Sequence, residues 1–199
     1  MITIIDYGMG NLRSVEKAFE FIGFEAEISS KKEDIKNASS LVLPGVGAFG
    51  DAMKHLGESN LIDTIKNETA KGKPFLGICL GMQLLFEKSF EHGETEGLNL
   101  VGGEVVPFKL KGFKVPHMGW NNLVARENPL FKRSDDKFVY FVHSFYASKV
   151  KETDIIANCF YGTEFVAAVR KENVYGLQFH PEKSGDVGLD MLKRFANLK

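Results

Sequence analysis

A G-x-C-x-G motif at residues 77–81 places Cys79 where a nucleophile could stand. Residues 75–78 are apolar and predict a short buried strand, and residues 82–87 predict the start of a helix. A strand, a sharp turn and a helix are the context of a nucleophile elbow, in which the glycines avoid clashes with a strained turn. The N-terminus of the helix favours the thiolate, the reactive form of cysteine. The alternative is a buried cysteine between packing glycines, because free cysteine is among the most buried residue types.

A cysteine nucleophile needs a base, and His180 is the strongest of the five histidines. It follows the predicted strand 174–179 and precedes Pro181 and Glu182. Sites of sheet proteins lie at the ends of strands. Glu182 can bind one ring nitrogen of His180 and aim the other outward, which is the task of the third member of a triad. The alternative is a surface His-Pro-Glu turn.

Thiolate attack on an amide creates an oxyanion, which needs hydrogen-bond donors. The backbone N–H of Leu80, directly after the cysteine, is the first candidate. A second donor is expected from a glycine-rich loop at a neighbouring strand end, and residues 43–47 form such a loop around Val46 and Gly47. A glycine-flanked peptide rotates at little cost, so the loop could also switch activity. In isolation, the same residues predict an ordinary strand-to-helix turn.

The composition excludes several classes of function. The chain has 199 residues, a net charge of −1 at pH 7 and two cysteines. It predicts one globular domain over residues 1–199, with no basic excess for nucleic acid and no apolar run that could span a membrane. Residues 1–6 lack the features of a signal peptide and predict a first strand. Two reduced cysteines fit a cytoplasmic protein, and no metal site or cofactor is predicted.

Hydrophobic patterns place the elements that must position these residues. Over about the first 90 residues strand and helix alternate, as is typical of a parallel sheet covered by helices. Later strands follow one another closely, so part of the pairing should be antiparallel. The predicted strands are 2–5, 25–28, 41–43, 75–78, 138–142, 155–157, 165–169 and 174–179, and the predicted helices begin at Asn11, near Leu61, after Cys79 and near Asp186. The sequence therefore predicts an α/β fold with a mostly parallel central sheet and an antiparallel portion in the C-terminal half.

Six segments together resemble a known family. G-I-C-L-G-M-Q at 77–83 with F-H-P-E at 179–182 is similar to the triad motifs of class I glutamine amidotransferases. The other four are similar to one branch of that family, the glutaminase subunits of imidazole glycerol phosphate synthases from histidine biosynthesis. They are D-Y-G-M-G-N at 6–11, P-G-V-G-A-F-G at 44–50, P-H-M-G-W-N at 116–121 and Y-F-V-H-S at 140–144. The resemblance covers essentially the whole chain and implies a flavodoxin-like three-layer sandwich.

The resemblance implies a role for each matching residue. Cys79 attacks the side-chain amide of glutamine, His180 passes the proton to the leaving ammonia, and Glu182 orients His180. Backbone N–H groups near Val46 or Gly47 and at Leu80 hold the oxyanion, and water then hydrolyses the glutamyl thioester. The residues expected to bind substrate glutamine are Gln83, Ser144 and Phe145.

The resemblance also implies a partner, because no residues remain on this chain for chemistry on the ammonia. In this family the partner is a cyclase subunit with a (β/α)8 barrel, which receives ammonia through the heterodimer interface. Its products are imidazole glycerol phosphate and aminoimidazole carboxamide ribonucleotide. Without the partner and its ligand, the chain is expected to be a poor glutaminase, because the loop at 44–47 withholds its donor. The positions that match the docking face are Met9, Asn11, Trp120, Asn121, Tyr140 and Lys183.

Several alternatives stay open at this point. Trp120 could pack in the core, Asn11 could only cap a helix, and Lys183 could be a solvated charge. The chain could be a paralogous subunit that supplies ammonia to another pathway, such as sugar modification, or a subunit for pyridoxal phosphate synthesis. It could also be a cysteine-elbow stress protein or peptidase, or a binding subunit without catalysis. Cys159, in an apolar strand, is expected in the core.

Overall fold

The computed structural model describes residues 1–132 and 138–198 of the chain. In this part the chain forms six α-helices and thirteen β-strands. The helices are α1 (Leu12–Phe21), α2 (Lys32–Asn37), α3 (Phe49–Glu58), α4 (Ile62–Ala70), α5 (Leu80–Gln83) and α6 (Gly185–Ala196). The strands are β1 (Ile2–Ile5), β2 (Ala26–Ser29), β3 (Ser40–Gly45), β4 (Phe75–Cys79), β5 (Lys88–Ser89), β6 (Thr95–Glu96), β7 (Glu104–Pro107), β8 (His117–Ala125), β9 (Phe138–His143), β10 (Phe145–Ser148), β11 (Ile155–Phe160), β12 (Glu164–Lys171) and β13 (Val174–Leu177).

Five strands form the parallel half of the sheet, in the order β2-β1-β3-β4-β13. Their residues alternate between the two faces. In β1, Ile2 and Ile4 pack on one side and Ile5 on the other, and all three are buried. Such two-sided burial explains the mainly apolar runs of β1, β3 and β4, whereas the edge strand β2 is half-buried and contains Glu27. Because they are parallel, the carboxyl ends of β3 and β4 meet at one edge of the sheet.

The second half of the sheet is mainly antiparallel. Strand β12 pairs antiparallel with β13, β10 and β11, and β8 pairs antiparallel with both β11 and β9. Strand β13 is thus the link between the two halves, since its other neighbour is the parallel β4. The predicted α/β fold, with a mostly parallel centre and antiparallel strands in the C-terminal half, is confirmed.

Helices cover both faces of the parallel half and complete three layers. One hydrophobic cluster holds Phe19 of α1 and Phe195 of α6. The other holds Ile35 of α2, Leu56 of α3 and Ile65 of α4. All five side chains are fully buried. None of the helices described here is long and apolar enough to cross a membrane.

Two local predictions were wrong. Pro44 and Gly45 continue β3 instead of ending it. Pairing with β1 stops at Val42, so Pro44 is paired on one side only and its missing N–H costs no ladder bond. The helix after Cys79 ends at Gln83 and does not continue through residue 87. The carbonyls of the following turn instead accept N–H groups from residues 98–101, which takes them out of any helix.

Other elements were not predicted. Helix α3 was missed although three buried residues at Phe49, Ala52 and Leu56 have helical spacing, because Gly50 and Gly57 weaken the pattern. Strands β7, β8 and β10 were also missed. In β8, polar and aromatic residues interrupt the apolar alternation, and its pairing with β9 and β11 supplies the regularity instead.

Candidate active site

Cys79 occupies a strained turn at the carboxyl end of β4. Its backbone has φ of 56° and ψ of −112°, an unusual conformation for a residue with a side chain. Two neighbouring glycines make the turn possible. A Cβ at Gly77 would lie 2.5 Å from the carbonyl oxygen of Gly81, and a Cβ at Gly81 would overlap the carbonyl oxygen of Leu43. The G-x-C-x-G spacing is therefore a packing requirement of a nucleophile elbow.

The helix that follows is a single turn, α5, and the thiol sits just before it. The Cys79 side chain is 7% exposed and makes two weak sulfur contacts. Its Sγ donates to the carbonyl of Val142 at 3.8 Å, and the Nε2 amide of Gln178 donates to Sγ at 3.9 Å. The amide of Gln178 thus supports negative charge on sulfur, a contribution that the sequence did not predict. A polar residue in an otherwise apolar strand end was its only signal.

His180 and Glu182 lie beside this turn at the end of β13. The Nδ1 atom of His180 is 2.9 Å from a carboxylate oxygen of Glu182. The two side chains are only 3% and 1% exposed, so water screens the pair little. Nδ1 therefore carries the proton, and Nε2, which has no hydrogen-bond partner within the described residues, is the nitrogen left for proton exchange.

Electrostatics favour a charged His180. Burial by itself lowers the pKa of this imidazole, but Cys79 and then Glu182 favour its charged form and together raise the pKa to about 9. A cysteine thiolate next to an imidazolium is the arrangement that activates a sulfur nucleophile at neutral pH. The structure brings these three residues together, as the sequence predicts.

The loop after β3 runs along the same edge. Gly45 pairs with Cys79 across the strands, and the Tyr7 hydroxyl donates to the carbonyl of Pro44 at 3.1 Å. Beyond them, Val46 is 44% exposed and Gly47 has φ of 95°, a conformation that favours glycine. The loop is therefore anchored at Pro44 and exposed at Val46, which agrees with a Val46–Gly47 peptide that can rotate.

A cavity of about 360 Å³ joins these groups. This volume suits a small molecule. All the residues predicted to act on or bind a substrate line it, apart from Glu182, which lies behind His180. Four further residues line it and were not predicted to bind substrate, namely Glu91, Pro116, Val142 and His143. The predicted lining residues are Val46, Gly47, Cys79, Leu80, Gln83, Ser144, Phe145 and His180.

The comparisons with known proteins agree on one family. The model of glutamine amidotransferase class-I matches residues 3–197. The imidazole glycerol phosphate synthase subunit HisH of Caldanaerobacter subterraneus subsp. tengcongensis is 52% identical, over 100% of this chain and 98% of that protein. The HisH subunit of Aquifex aeolicus is 51% identical over 96% of this chain and 94% of its own. The chain belongs to the class I glutamine amidotransferases, in the HisH family.

Solved structures of lower identity share the fold of this family. A crystal structure described as a glutamine amidotransferase superposes with a TM-score of 0.79 at 20% identity, over 100% of both chains. A chain in the structure of PurLQS from Thermotoga maritima gives a TM-score of 0.77 at 21% identity, over 98% of this chain and 97% of that one.

The residues that match the docking face of the family are mostly at the surface. Trp120 is 54% exposed, which excludes the alternative of core packing. It lies opposite Tyr140 in the β8–β9 pair, with ring centroids 6.2 Å apart. Lys183 is exposed next to Glu182. The Cε atom of Met9 lies 2.9 Å from the position that a Cβ at Gly47 would occupy.

The two asparagines of this set differ in their contacts within the chain. Asn11 is at the N-cap position of α1, but its side chain forms no capping hydrogen bond. Asn121 is half-buried on the opposite face of β8 from Trp120, and its Nδ2 donates to the carbonyl of Phe160 at 2.9 Å. Its amide is therefore engaged inside the protein.

The remaining candidates lie outside the site. Cys159 is buried, as predicted, and burial raises the pKa of its thiol to about 12, so it is inert. His55 and His92 are exposed. Across residues 1–132 and 138–198, no group of three or more His, Cys, Asp or Glu side chains could hold a metal ion.

Proposed function

We propose that this chain is the glutaminase subunit of an imidazole glycerol phosphate synthase. It hydrolyses glutamine to glutamate and ammonia in the cytoplasm, as one amidotransferase domain over residues 1–199. The ammonia passes to a cyclase partner with a (β/α)8 barrel, which makes imidazole glycerol phosphate and aminoimidazole carboxamide ribonucleotide for histidine biosynthesis.

The first half of the reaction forms a thioester. The Cys79 thiolate attacks the side-chain carbonyl carbon of glutamine, and the N–H groups of Leu80 and of the Val46–Gly47 peptide hold the oxyanion. His180 donates its Nε2 proton to the amide nitrogen, the C–N bond breaks, and ammonia leaves. Glu182 keeps Nδ1 protonated and stabilises the imidazolium throughout.

The second half regenerates the enzyme. Neutral His180 takes a proton from a water molecule, which attacks the thioester carbon. The C–S bond breaks, glutamate forms, and the thiolate–imidazolium pair returns. The new carboxylic acid loses one proton to become the carboxylate of glutamate, so one glutamine and one water give glutamate, ammonia and one proton.

The observation that carries the proposal is the buried His180–Glu182 pair at 2.9 Å beside Cys79 on its strained turn. A structural cysteine needs neither the positive φ nor an imidazole whose charged form is favoured. The positive φ costs folding free energy, and both features serve a nucleophile.

Side chains in the cavity fit the polar ends of glutamine. The Nε2 of Gln83 donates to the carbonyl of Phe145 at 3.1 Å and to Gln178 at 3.0 Å, which leaves its oxygen to accept from substrate. One oxygen of Glu91 accepts from the N–H of Phe49 at 2.7 Å, and its charge suits the substrate ammonium. Ser144 and Phe145 line the same cavity and offer backbone groups to it.

Exposed apolar side chains beside the cavity support a docking surface. Met118 and Trp120 of β8 are 62% and 54% exposed and lie on the outer face of the β8–β9 pair, across from Val142 and Tyr140. Val142 also lines the active-site cavity. A partner seated on this face would cover the site, as protected transfer of ammonia requires.

A second, very small cavity suggests the direction of release. It has a volume of about 10 Å³ and lies between the His180–Glu182 pair and Asn11, with Val46 at its side. This is about the space of one water-sized molecule, and ammonia is of similar size. It joins the back of the triad to the predicted docking residue Asn11.

The test uses glutamine labelled with ¹⁵N in its side-chain amide. The chain is mixed with the cyclase subunit and its nucleotide substrate, and glutamate and labelled imidazole glycerol phosphate are measured. We expect both products in equal amounts and far slower glutamate release from the chain alone. Glutamate without labelled product would refute this acceptor and favour a paralogous pathway, and equal release with and without the partner would refute the loop switch.

A further inference from the structure

Two buried histidines, of which His143 lines the active-site cavity, form a contact that the reaction does not use. His117 and His143 lie opposite each other on β8 and β9 and are 2% and 5% exposed. The Nδ1 atom of His117 is 3.0 Å from the Nε2 atom of His143. Phe141 and Phe165 pack around both rings, and Tyr161 stacks on His117.

The neighbours of this pair fix where each proton lies. Nδ1 of His143 is 2.8 Å from the carbonyl oxygen of Phe145, which only accepts, so this nitrogen carries the proton. In the neutral ring Nε2 then accepts, and His117 must donate to it from Nδ1. The Nε2 of His117 is left as an acceptor for the Nδ2 amide of Asn121, 3.3 Å away.

The orientation of the Asn121 amide is set independently. Its oxygen accepts from the N–H of Asn122 at 2.8 Å, and its nitrogen donates to Phe160 at 2.9 Å. The direction of donation is therefore the same along the whole chain of contacts, from Asn121 through His117 and His143 to Phe145. An added proton would bring two N–H groups face to face. The pKa values agree, since burial lowers that of His117 to about 4 and that of His143 to about 3.

The carbonyl at the end of this chain belongs to the glutamine pocket. The Phe145 oxygen accepts from His143 and also from Gln83, and Gln83 donates in turn to Gln178, whose own amide donates to the Cys79 sulfur. One carbonyl thus orients both the peptide wall and the side chain expected to bind substrate. If His143 did not donate, the Phe145 carbonyl would lose one of the two side-chain donors that hold it.

We propose that His117 and His143 are positioning residues for glutamine binding. As a neutral pair with fixed protons, they hold the Phe145 carbonyl and connect it to Asn121. Asn121 follows Trp120 directly in β8, which we call the docking strand. This inference rests on the proposed function and adds to it a connection between the docking strand and the substrate site.

Two variants of His143 separate this role from simple packing. In His143→Asn the amide nitrogen takes the place of Nδ1 and can still donate to Phe145, whereas in His143→Gln the polar atoms lie near the position of Nε2 and this donor is lost. Glutamate release is measured with the full chain, saturating cyclase partner and its nucleotide. We expect KM for glutamine to rise about ten-fold in His143→Gln, the usual effect of one lost hydrogen bond, with kcat little changed. His143→Asn should stay within about three-fold of the parent.

A binding readout and a stability control make the result decisive. The rate at which a chloroketone analogue of glutamine alkylates Cys79 is measured against its concentration, because half-saturation reports binding without turnover. The free energy of unfolding in urea is measured for both variants. Equal KM and half-saturation values in the two variants would overturn the proposal, whatever their stability. The exposed His55→Gln is the matched control and should change neither value.

The link to the docking strand has its own test. Asn121→Ala removes the donor to His117 and should raise KM by about three-fold. Combined with His143→Gln, it should raise KM no further, because the series of hydrogen bonds from Asn121 to Phe145 is already broken. Fully multiplicative effects would refute the connection. If instead the parent complex releases no glutamate, the proposed function fails and this inference with it, so the two failures are distinguishable.

Discussion

Cys79 is held in a conformation that its own side chain disfavours. A positive φ at a residue with a Cβ costs of order 1–3 kcal/mol, and such strain persists only when the surroundings impose it. Here they are the two glycines that accept close backbone contact and the pairing of Gly45 with Cys79. The thiol is thereby presented at the sheet edge next to His180, so backbone geometry and proton chemistry serve the same atom.

Replacing the carboxylate of Glu182 tests the electrostatics of the triad. Glu182→Gln removes a charge that favours imidazolium, so the pKa of His180, about 9 in the parent, should fall. Because the protonated imidazole is the acid, activity is lost as pH rises through this pKa. The alkaline limb of the kcat/KM profile should therefore move to lower pH, and kcat should fall about 10²-fold. An unmoved limb would show that Glu182 does not set the proton affinity of His180.

The sequence identified some of these residues and not others for a physical reason. Cys79, His180 and Glu182 lie in local sequence motifs, namely a strand-to-helix turn and a strand end with proline. Gln178 and the His117–His143 pair act through contacts that depend on which strands are neighbours and in which register. Such contacts have no signature along the chain, so only the fold could reveal them.

At the scale of elements, the elbow depends on how closely β4 and α5 approach β3. Gly81, the second residue of α5, lies against the backbone of Leu43. The one-turn length of α5 follows from the carbonyls of residues 84–86, which accept N–H groups from residues 98–101. Helix dipole effects fall off within one turn, so the backbone N–H groups next to the thiol count for more here than helix length.

A glycine substitution checks this packing. Gly81→Ala would place its Cβ in the space of the Leu43 oxygen, and we expect a loss of about 1–3 kcal/mol in the free energy of unfolding. Gly57→Ala in helix α3 has open space around its Cβ and is the matched control. It should stabilise the protein by about 0.5–1 kcal/mol, as helix propensity predicts. Urea unfolding measures both, and a neutral Gly81→Ala would mean that the elbow is not tightly packed.

The strand pattern shows the same division between local and non-local information. The parallel strands β1, β3 and β4 were predictable because each is a short, mainly apolar run. Strands β7, β8 and β10 were not, because their polar residues are compatible with a strand only once neighbouring strands are in place. Helix α5 was predicted too long because the competing segment at 98–101 is remote in sequence.

At the scale of the whole molecule, one edge of the sheet carries both the cavity and the exposed aromatic surface. Trp120→Ala should weaken the complex with the cyclase partner by about ten-fold or more, as for a tryptophan at the centre of an interface. Phe21→Ala is the matched control, because Phe21 is 79% exposed at the far end of α1 from Asn11. Titration calorimetry measures both, and equal affinities would remove Trp120 from the interface.

Buried histidines also make the stability of the protein depend on pH. The folded-state pKa values of His117 and His143 lie below the ordinary value of 6.5, at about 4 and about 3. Below pH 6.5 the unfolded chain therefore binds protons that the folded chain does not bind. The free energy of unfolding falls as the pH is lowered, by up to about 1.4 kcal/mol per pH unit for each group.

His180 has the opposite sign. Its folded pKa is raised to about 9, so its stabilisation is present below pH 6.5 and is lost as pH rises through 9.

A His117 variant tests the effect of the buried neutral pair. Urea unfolding between pH 5 and 7 should show a shallower pH dependence of the free energy of unfolding in His117→Asn than in the parent. An unchanged slope would mean that His117 does not stay neutral in the folded protein.

The central claim is that Cys79 releases ammonia from glutamine as the nucleophile. The most direct measurement is the steady rate of glutamate release by the complex of this chain with its cyclase partner, compared with the same complex carrying Cys79→Ala. We expect the rate of glutamate release to fall to the uncatalysed level in Cys79→Ala while the complex still forms. Cys159→Ala is the control and should remain active. Substantial glutamate release by Cys79→Ala would contradict it.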